Sequence, residues 1–575
     1  MKKRWFIKER ADEDKVLQLS KALKVDPILA RILVQRGIDD FSKAEQFFRP
    51  KLTELHDPFL MKNMDEAMNR IKTAIDNKER VLLYGDYDVD GTTAVSLMWN
   101  VLKVEIEELD YYIPDRYKEG YGISKLGIDY ASDNDITLII ALDCGIKAHE
   151  QARQAKASGI DLIICDHHEP GPNLPDALIL NPKQTDCPYP FKELSGCGVG
   201  FKLLQAYFKQ EQKDDTILLR QLDLLAISIS ADLVPMTGEN RVLCNFGLQL
   251  INKKTRPCFK QLLQRAKKTV PLTITDVVFT IAPRINAAGR MDQGQKAVKL
   301  MTEEDPIAIE TLVEEIENDN LERRALDQET TEEALIQISD DPNFALKLST
   351  VVYQENWHKG VVGIVASRLI EKHYRPTIVL TKSNGKLTGS ARSIQGLNLY
   401  ETLEACQEYL EQFGGHEFAA GLTLDESKLK LFSDAFELEV QKRLNKTDLV
   451  PQQIVDHELL FNDIFKSGEN IYDLPKFKRI MNQLEPHGPK NMKPVFVSKN
   501  VFVESVFLLK EAHLKLRLSQ ANSSLEIAAI GFNMADKVDL ALSKDPIDIL
   551  YTLEANDWNN QVSLQLQLKD IRSSI

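Results

Sequence analysis

"GDYDVDG" (Gly85–Gly91) sets three aspartates at alternate positions and closes on a glycine. Carboxylates that dense repel one another unless a cation or a proton settles them. The nearest familiar pattern is the EF-hand loop, which needs a bidentate Glu at its twelfth position. Counted from Asp86, the twelfth residue is Leu97. The flanks differ as well. "RVLLYGDYD" is a short apolar run bounded by turn residues, which reads as a buried strand. "TTAVSLMWNVLK", after the motif, has helical spacing and opens with threonines suited to capping. The aspartates therefore stand where a strand ends and a helix begins, and the EF-hand reading is rejected.

The same grammar recurs downstream. "TLIIALDCG" (137–145), "DLIICDHHEPG" (161–171) and "ALILNP" (177–182) are continuous apolar runs, as expected of parallel strands covered on both faces. A helical pattern, "IKAHEQARQAKASG", separates the first two and ends at Gly159. Parallel sheets collect ligands beyond the carboxyl ends of their strands. There the sequence places Asp86, Asp88 and Asp90, then Asp143, then Asp166, His167 and His168. Asp232 closes the apolar stretch "LLAISISADLVPM". A lone Asp after a strand is more often a helix cap than a ligand. Four segments delivering hard oxygens or imidazole to one rim suit two divalent cations, Mn²⁺ or Mg²⁺, and phosphoester hydrolysis. Cys144 and Cys165 lie beside candidate ligands, but no thiolate set points to structural zinc.

Composition bounds the remaining classes. A chain of 575 residues makes several domains. No run of about twenty apolar residues exists, so no membrane span is expected. "MKKRWFIKERADEDK" lacks an apolar core, so no secretory signal is expected. Seven cysteines without a CxxC pair fit reduced thiols and a cytoplasmic setting. The net charge of −14 argues against a generic nucleic-acid binder; binding has to come from local patches with metal ions offsetting the acidic charge.

"DYDVDG", "LDCG", "CDHH" and "ADLVP", in this order and at these separations, closely resemble motifs one to four of the DHH phosphoesterases. "PRINAAGRM" (283–291), "NWHKGVVGIVASRL" (356–369), "GSARS" (389–393) and "FGGHEFAAGLTL" (413–424) resemble the RecJ-type exonucleases within that family, including their DHH-associated domain. "HLKLRL" (513–518) and "AAIGFNM" (528–534) resemble the OB-fold of the same enzymes. The resemblance spans nearly the whole chain. It implies an α/β fold: an N-terminal DHH domain with a parallel sheet, a helical connector, a smaller α/β DHH-associated domain and a C-terminal OB-fold β-barrel. The corresponding spans are a helical segment at 1–60, then 61–300, 301–340, 341–448 and 449–575.

Residue by residue, the resemblance implies metal ligation by Asp88, Asp90, Asp143, His167 and Asp232, with Asp143 bridging. Asp86 touches metal or stands behind it. His168 bonds a phosphate oxygen or stabilises the leaving group, and Asp166 orients its neighbours. It further implies a 5′→3′ exonuclease specific for single-stranded DNA, releasing mononucleotides in recombination and repair. Single-stranded DNA-binding protein and a RecQ-type helicase are the implied partners, and a monomer is expected. Small DHH enzymes acting on dinucleotides, and relatives that keep the fold as a DNA-holding scaffold, are the alternatives; the C-terminal domain and the complete ligand set argue against them.

In the second domain, "LSTVVYQE" and "PTIVLT" read as strands, "GVVGIVASRLIEKHY" and "LNLYETLEACQEYLEQF" as helices. Gly414 and Gly415 after the latter fit a helix C-cap or a close approach to phosphate, which the resemblance favours together with His416. Ser390 and Arg392, with Arg284, Asn286 and Arg290, are candidate phosphate clamps, and the resemblance adds Arg116 near the strand's 5′ end. "EEDPIAIETLVEEIENDNLERRALDQETTEEALIQI" (303–338) reads as a long helical connector with a solvated face. "HLKLRLS" and "VSLQLQLKDI" alternate as half-exposed antiparallel strands, and an OB barrel commonly binds single strands. In "EPHGPKNMKPVF" (485–496), His487 and Lys490 stand where RecJ-type sequences lead one to expect an aromatic and a glycine.

Overall fold

The computed structural model describes residues 3–574, apart from 292, 293, 467, 522, 559 and 560. The chain forms two compact units. One contains His56–Val234 and Phe246–Pro451; the other contains Lys3–Leu55, Pro235–Asn245 and the chain from Gln452 onward.

The first unit holds two α/β lobes. Its amino-proximal lobe is a five-stranded parallel sheet of β1 (Val81–Gly85), β2 (Leu109–Tyr112), β3 (Leu138–Leu142), β4 (Asp161–Cys165) and β5 (Leu178–Leu180), in the order β2-β1-β3-β4-β5. Every residue of β1 and β3 is buried, which is why both read as unbroken apolar runs. The strand order reverses at β1, so the crevice beyond β1 and β3 is the topological switch point of the sheet. Helix α1 (Val89–Leu102) leaves β1 directly and packs against α2 (Gly196–Gln210) and α3 (Leu222–Ala231). Asp232 thus arrives from the carboxyl end of α3, Asp88 and Asp90 from the amino end of α1, and Asp86, Asp143 and Asp166 from strand ends.

Next come α4 (Ala282–Met291) and the 35-residue connector α5 (Pro306–Asp340), about 50 Å long at 1.5 Å per residue. The connector is tied to both lobes. Arg284 of α4 grips Glu317 at 2.6 and 3.1 Å, and Arg368 grips the buried Asp327 at 2.7 and 2.6 Å. Arg368 lies on α6 (Val362–His373) of the second lobe. That lobe is a mixed sheet of β6 (Thr350–Tyr353), β7 (Thr377–Ser383), β8 (Lys386–Arg392), β9 (Gln412–Gly415) and β10 (Ala419–Leu424), in the order β9-β10-β8-β7-β6.

The helix expected over 397–413 is corrected by the structure. It is helical only at Leu399–Glu404, makes a tight turn at Gln407–Tyr409 and becomes β9 from Gln412. Leu410 and Phe413 pack into the lobe's core, and Gln412–Gly415 pairs antiparallel with 420–423. The paired backbone and buried apolar side chains outweigh helical periodicity here.

In the second unit, Phe496–Leu509, His513–Gln520, Ile527–Gly531, Gln561–Ser573 and Ile547–Trp558 hydrogen-bond in that order and close back on the first strand. Leu514, Leu516 and Leu518 point inward while Lys515 and Arg517 face out. The helical segment expected at 1–60 has helices at Glu13–Leu23, Pro27–Val34 and Phe41–Phe48, which pack into this unit. Val16, Leu19, Leu29 and Ile32 share one core with Phe496, Leu516 and Tyr551, and Arg4–Ile7 is a strand paired with Gln452–Val455. Arg241 lies in this unit, stacked on Phe47 at 3.7 Å and donating to the carbonyls of Leu484, Glu485 and Pro486.

The turn at 485–491 shows what the departure from the expected pattern does. His487 is half-buried, with Nδ1 3.2 Å from the carbonyl of Asn491, and desolvation pulls its pKa down to about 3. Lys490 adopts φ +61°, the left-handed region that glycine enters freely. A side chain there costs about 1–2 kcal/mol, and glycine returns part of that through its looser unfolded chain. Lys490→Gly is therefore expected to stabilise this unit by roughly 0.5–1 kcal/mol, read as a higher urea midpoint at unchanged slope.

Candidate metal centre

Each part of the opening motif has a local task. Asp88 caps α1, its Oδ1 accepting the amide of Gly91 at 3.0 Å. Gly91 lets the first turn of α1 cross the preceding strand end, since a Cβ there would lie 2.5 Å from the carbonyl oxygen of Asp86. Asp86 is fully buried, and neither carboxylate oxygen receives a hydrogen bond from a described residue. Asp90 sits on the amino end of α2, accepting from the amides of Gly196 and Cys197 at 2.7 and 2.8 Å and from Ser228 Oγ at 2.7 Å. A helix amino terminus is a favourable seat for a carboxylate.

Asp143 follows β3 in a left-handed conformation, φ +62°, which Asp tolerates better than most residues. Its buried Oδ1 has no hydrogen bond. Gly196 is required beside it, because a Cβ would stand 2.5 Å from that oxygen. Ser195, Gly196, Cys197 and Ser228 escaped the sequence reading. Their one visible signal was a helix-capping serine before small residues in "LSGCGVGF".

After β4, Asp166 is consumed by hydrogen bonds. Its oxygens accept from the amides of Ile146, His167 and His168 and from His168 Nδ1 at 2.7 Å. Burial opposes its ionisation, but these bonds and the charge of His168 outweigh that and hold its pKa down to about 2. Burial likewise pulls His168 down, and the bond to Asp166 more than reverses it, so its pKa ends raised. Nε2 of His168 lies 3.1 Å from the hydroxyl of Tyr121.

His167 points into the cluster. Its Nε2 has no hydrogen bond and lies 3.2 Å from Asp143 Oδ1, 3.6 Å from Asp232 Oδ2 and 3.7 Å from Asp90 Oδ2. Ligand atoms of Asp143, His167 and His168, and of Asp90, His167 and Asp232, form two groups that could each hold an ion. Burial and then the neighbouring carboxylates push Asp86, Asp88, Asp143 and Asp232 above the usual carboxylate range. Orphaned carboxylate and imidazole lone pairs in a mutually repelling set fit hard divalent cations. The thiols of Cys144 and Cys165 are buried and pushed up in pKa, which disfavours thiolate ligation.

Asp166 and His168, beside the cluster, line a cavity of about 830 Å³ between the two lobes of the first unit. Arg116, Arg290, Ser390, Arg392, Gly414, Gly415 and His416 line it, as do Tyr121, Lys147 and Lys359, which the sequence reading missed. Arg392 bonds Ser390 Oγ at 2.7 Å. Burial, followed by Arg116, Arg323 and Arg392, pulls the pKa of Arg290 down to about 9. Such a cluster of cations is relieved by an anion. Gly415 has φ +150° and would place a Cβ 2.3 Å from the carbonyl of Ala419; Gly414 faces open space. The C-cap alternative for this pair falls away, because both glycines lie in β9. The ring of His416 is nearly parallel to that of His168, centroids 6.5 Å apart.

Two expectations are corrected. Arg284 does not present a free fork, since Glu317 and the carbonyl of Thr280 occupy its guanidinium. Asn286, half-buried on the same helix, does not line the cavity.

Asp143→Asn keeps shape and backbone but removes one repelling charge. In a chelator, the variant is expected to melt about 2–4 °C higher than the parent, equivalent to ~1 kcal/mol. Added Mn²⁺ should raise the melting temperature of the parent and not of the variant, as calorimetry would read.

The sequence matches the DHH family N-terminal domain over residues 80–229, the DHHA1 domain over 345–442 and the RecJ OB domain over 473–570. It is 39% identical to the single-stranded-DNA-specific exonuclease RecJ of Bacillus subtilis, over 99% of this chain and 71% of that one. It is 30% identical to the Escherichia coli protein of the same name, over 95% and 96%. The crystal structure of RecJ in complex with Mn²⁺ from Thermus thermophilus superposes with a TM-score of 0.84 at 27% identity, over all of this chain and 80% of that one. With full-length relatives this similar, the chain belongs to the RecJ family of DHH phosphoesterases.

Proposed function

We infer that this protein is a single-stranded-DNA-specific exonuclease that works 5′→3′ and releases 5′-mononucleotides by phosphodiester hydrolysis, in DNA recombination and repair. The observation that carries the reading is the juxtaposition of orphaned buried ligands (Asp86, Asp143 Oδ1 and His167 Nε2) with a cavity wall of arginines. Asp88, Asp90, Asp143, His167 and Asp232 would hold two divalent cations, Mn²⁺ or Mg²⁺, with Asp143 shared and Asp86 adjacent. When bound, the cations supply Lewis-acid charge at the phosphate and acidify a water.

The chain's own groups do the rest. Asp166 fixes the imidazole of His168, whose Nε2 protonates the departing 3′ oxygen. Arg116, Arg290, Ser390 and Arg392 hold the phosphate at the 5′ end, and His416 with the exposed edge of β9 holds the next one. Strand preference follows from size. A cavity of about 830 Å³ accepts a few unstacked nucleotides, while a duplex, whose major groove alone is about 12 Å wide, does not enter. The proposed setting is the cytoplasm, consistent with seven free, buried cysteines. The protein works there as a monomer alongside single-stranded DNA-binding protein and a RecQ-type helicase. Among the described residues, no helix is long and apolar enough to cross a membrane.

Product analysis tests this reading directly. With Mn²⁺, a 5′-labelled single strand should yield labelled mononucleotide from the first turnover, a 3′-labelled strand should shorten progressively, and a blunt duplex should persist. Asp143→Ala should lose on the order of a thousandfold or more in turnover while a gel shift with the strand persists. Intact turnover in that variant would refute the assignment.

The two arginines that the sequence could not tell apart should separate. Arg392→Ala should flatten the salt dependence of strand binding by about 0.7 in log–log slope, the value of one single-strand phosphate contact. Arg284→Ala should leave that slope alone and cost stability instead, ~3 kcal/mol for a broken buried ion pair.

A further inference from the structure

Tyr121 is the residue of the reaction centre for which neither the opening motif nor the ligand set accounts. It stands between Gly120 and Gly122, both at φ +85°, with no atom within 4 Å of a Cβ at either position. The two glycines turn the chain out and back, so that one aromatic side chain reaches over the carboxyl end of β3. Its hydroxyl donates to the backbone carbonyl of Asp143 at 3.2 Å and meets Nε2 of His168 at 3.1 Å. The ring packs edge-on against His168 (5.8 Å, 75°) and against Tyr87 (6.3 Å, 84°).

The imidazole of His168 is therefore held at both nitrogens, by Asp166 at Nδ1 and by Tyr121 at Nε2. A hydroxyl has one proton and two lone pairs. With its proton directed to the Asp143 carbonyl, the Tyr121 oxygen offers a lone pair to Nε2–H. Asp166 fixes one end of the ring, but rotation about the bonds that carry it leaves the other end free to sweep. The second contact removes that freedom, and a loss of aim by about 1 Å can cost a hundredfold in rate.

We propose that Tyr121 is a positioning residue: its oxygen accepts Nε2–H of His168 before a strand enters, which sets the plane of the ring, and gives that proton up to the leaving 3′ oxygen once the strand is seated. This rests on the reading of His168 as the proton donor to that oxygen. In that step a water oxygen bonds to phosphorus, the P–O3′ bond breaks with its electron pair left on the 3′ oxygen, Nε2 gives that oxygen a proton, and the water's proton passes to solvent.

The test replaces the leaving atom. A single strand carrying sulfur in place of the first 3′ bridging oxygen departs as a thiolate, which needs no proton. Parent, Tyr121→Phe and His168→Ala are compared on oxygen- and sulfur-bridged strands in Mn²⁺, with Mn²⁺ affinity measured separately by calorimetry. Tyr121→Phe keeps the ring and loses only the hydroxyl. It is expected to lower kcat on the oxygen strand by about 10- to 100-fold, to leave KM and Mn²⁺ affinity unchanged, and to cleave the sulfur strand within about threefold of the parent's rate, a residual of well under one tenfold step.

Equal slowing on both strands, or an unchanged kcat, overturns the proposal. So does a parallel fall in Mn²⁺ affinity, which would mean that the hydroxyl acts through the carbonyl of Asp143. If His168→Ala itself is not rescued by sulfur, the proton-donor reading fails and takes the proposal with it. If His168→Ala is rescued and Tyr121→Phe is not, the proposal alone fails.

Discussion

Repulsion among buried carboxylates is the constraint to which the rest of the first unit answers. Asp86, Asp90 and Asp143 are almost wholly shielded from water, and Asp88 and Asp232 stand beside them. Left to themselves, such groups would separate or take up protons. The structure prevents the first by placing them on backbone that cannot yield: the ends of two central buried strands, the amino end of α1 and the carboxyl end of α3. Gly91 and Gly196 are the points of closest approach, where even a methyl group would enter the space of Asp86 or Asp143. The site is a strained assembly of like charges whose compensation is left to cations.

Two kinds of acidic residue result, and their hydrogen bonds tell them apart. Asp166 and Asp90 accept from amides and a hydroxyl or imidazole, and so they set the positions of their neighbours. Asp86, Asp143 Oδ1 and His167 Nε2 keep lone pairs that nothing described satisfies. Burying an acceptor without a partner costs free energy, so these atoms mark the place where a ligand is wanted. Asp90 belongs to both kinds, since Oδ2 also faces His167.

How much of this was legible follows from the range of each interaction. The strands of the first sheet were readable because a run buried on both faces leaves an uninterrupted apolar signature, and the ligands were readable because they follow those runs immediately. The seat of Asp90 was not, since the amides of Gly196 and Cys197 are supplied by a segment more than a hundred residues away and amides carry no sequence signal. Arg284 and Arg392 looked alike as arginines in motifs; only the tertiary structure shows Glu317 against one and Ser390 against the other. Strand β9 was misread because Leu399, Leu403, Leu410 and Phe413 fall near helical spacing, although only the first two lie on a helix and Phe413 pairs with Leu422 of β10. The left-handed turn at Lys490 was visible as a departure, yet its conformation was not.

A net charge of −14 is compatible with binding a polyanion because the field that matters is local. Five carboxylates of the deficit are gathered in one buried rim, where two divalent cations would return four positive charges to the same small volume. On the opposing wall the pKa of Arg290 is lowered by burial and then by other arginines, and Asp88 opposes this more weakly. Acidic and basic groups are thus segregated across a single cavity instead of being paired. Pairing them directly would give a more stable protein and an inert one, since a salt bridge between Arg392 and Asp88 would leave neither cation nor phosphate anything to bind. The acidic surplus elsewhere on the surface is screened within a Debye length of about 8 Å at physiological salt. A strand that has entered the cavity therefore responds to the arginines and the cations, and hardly to the charge of the chain as a whole.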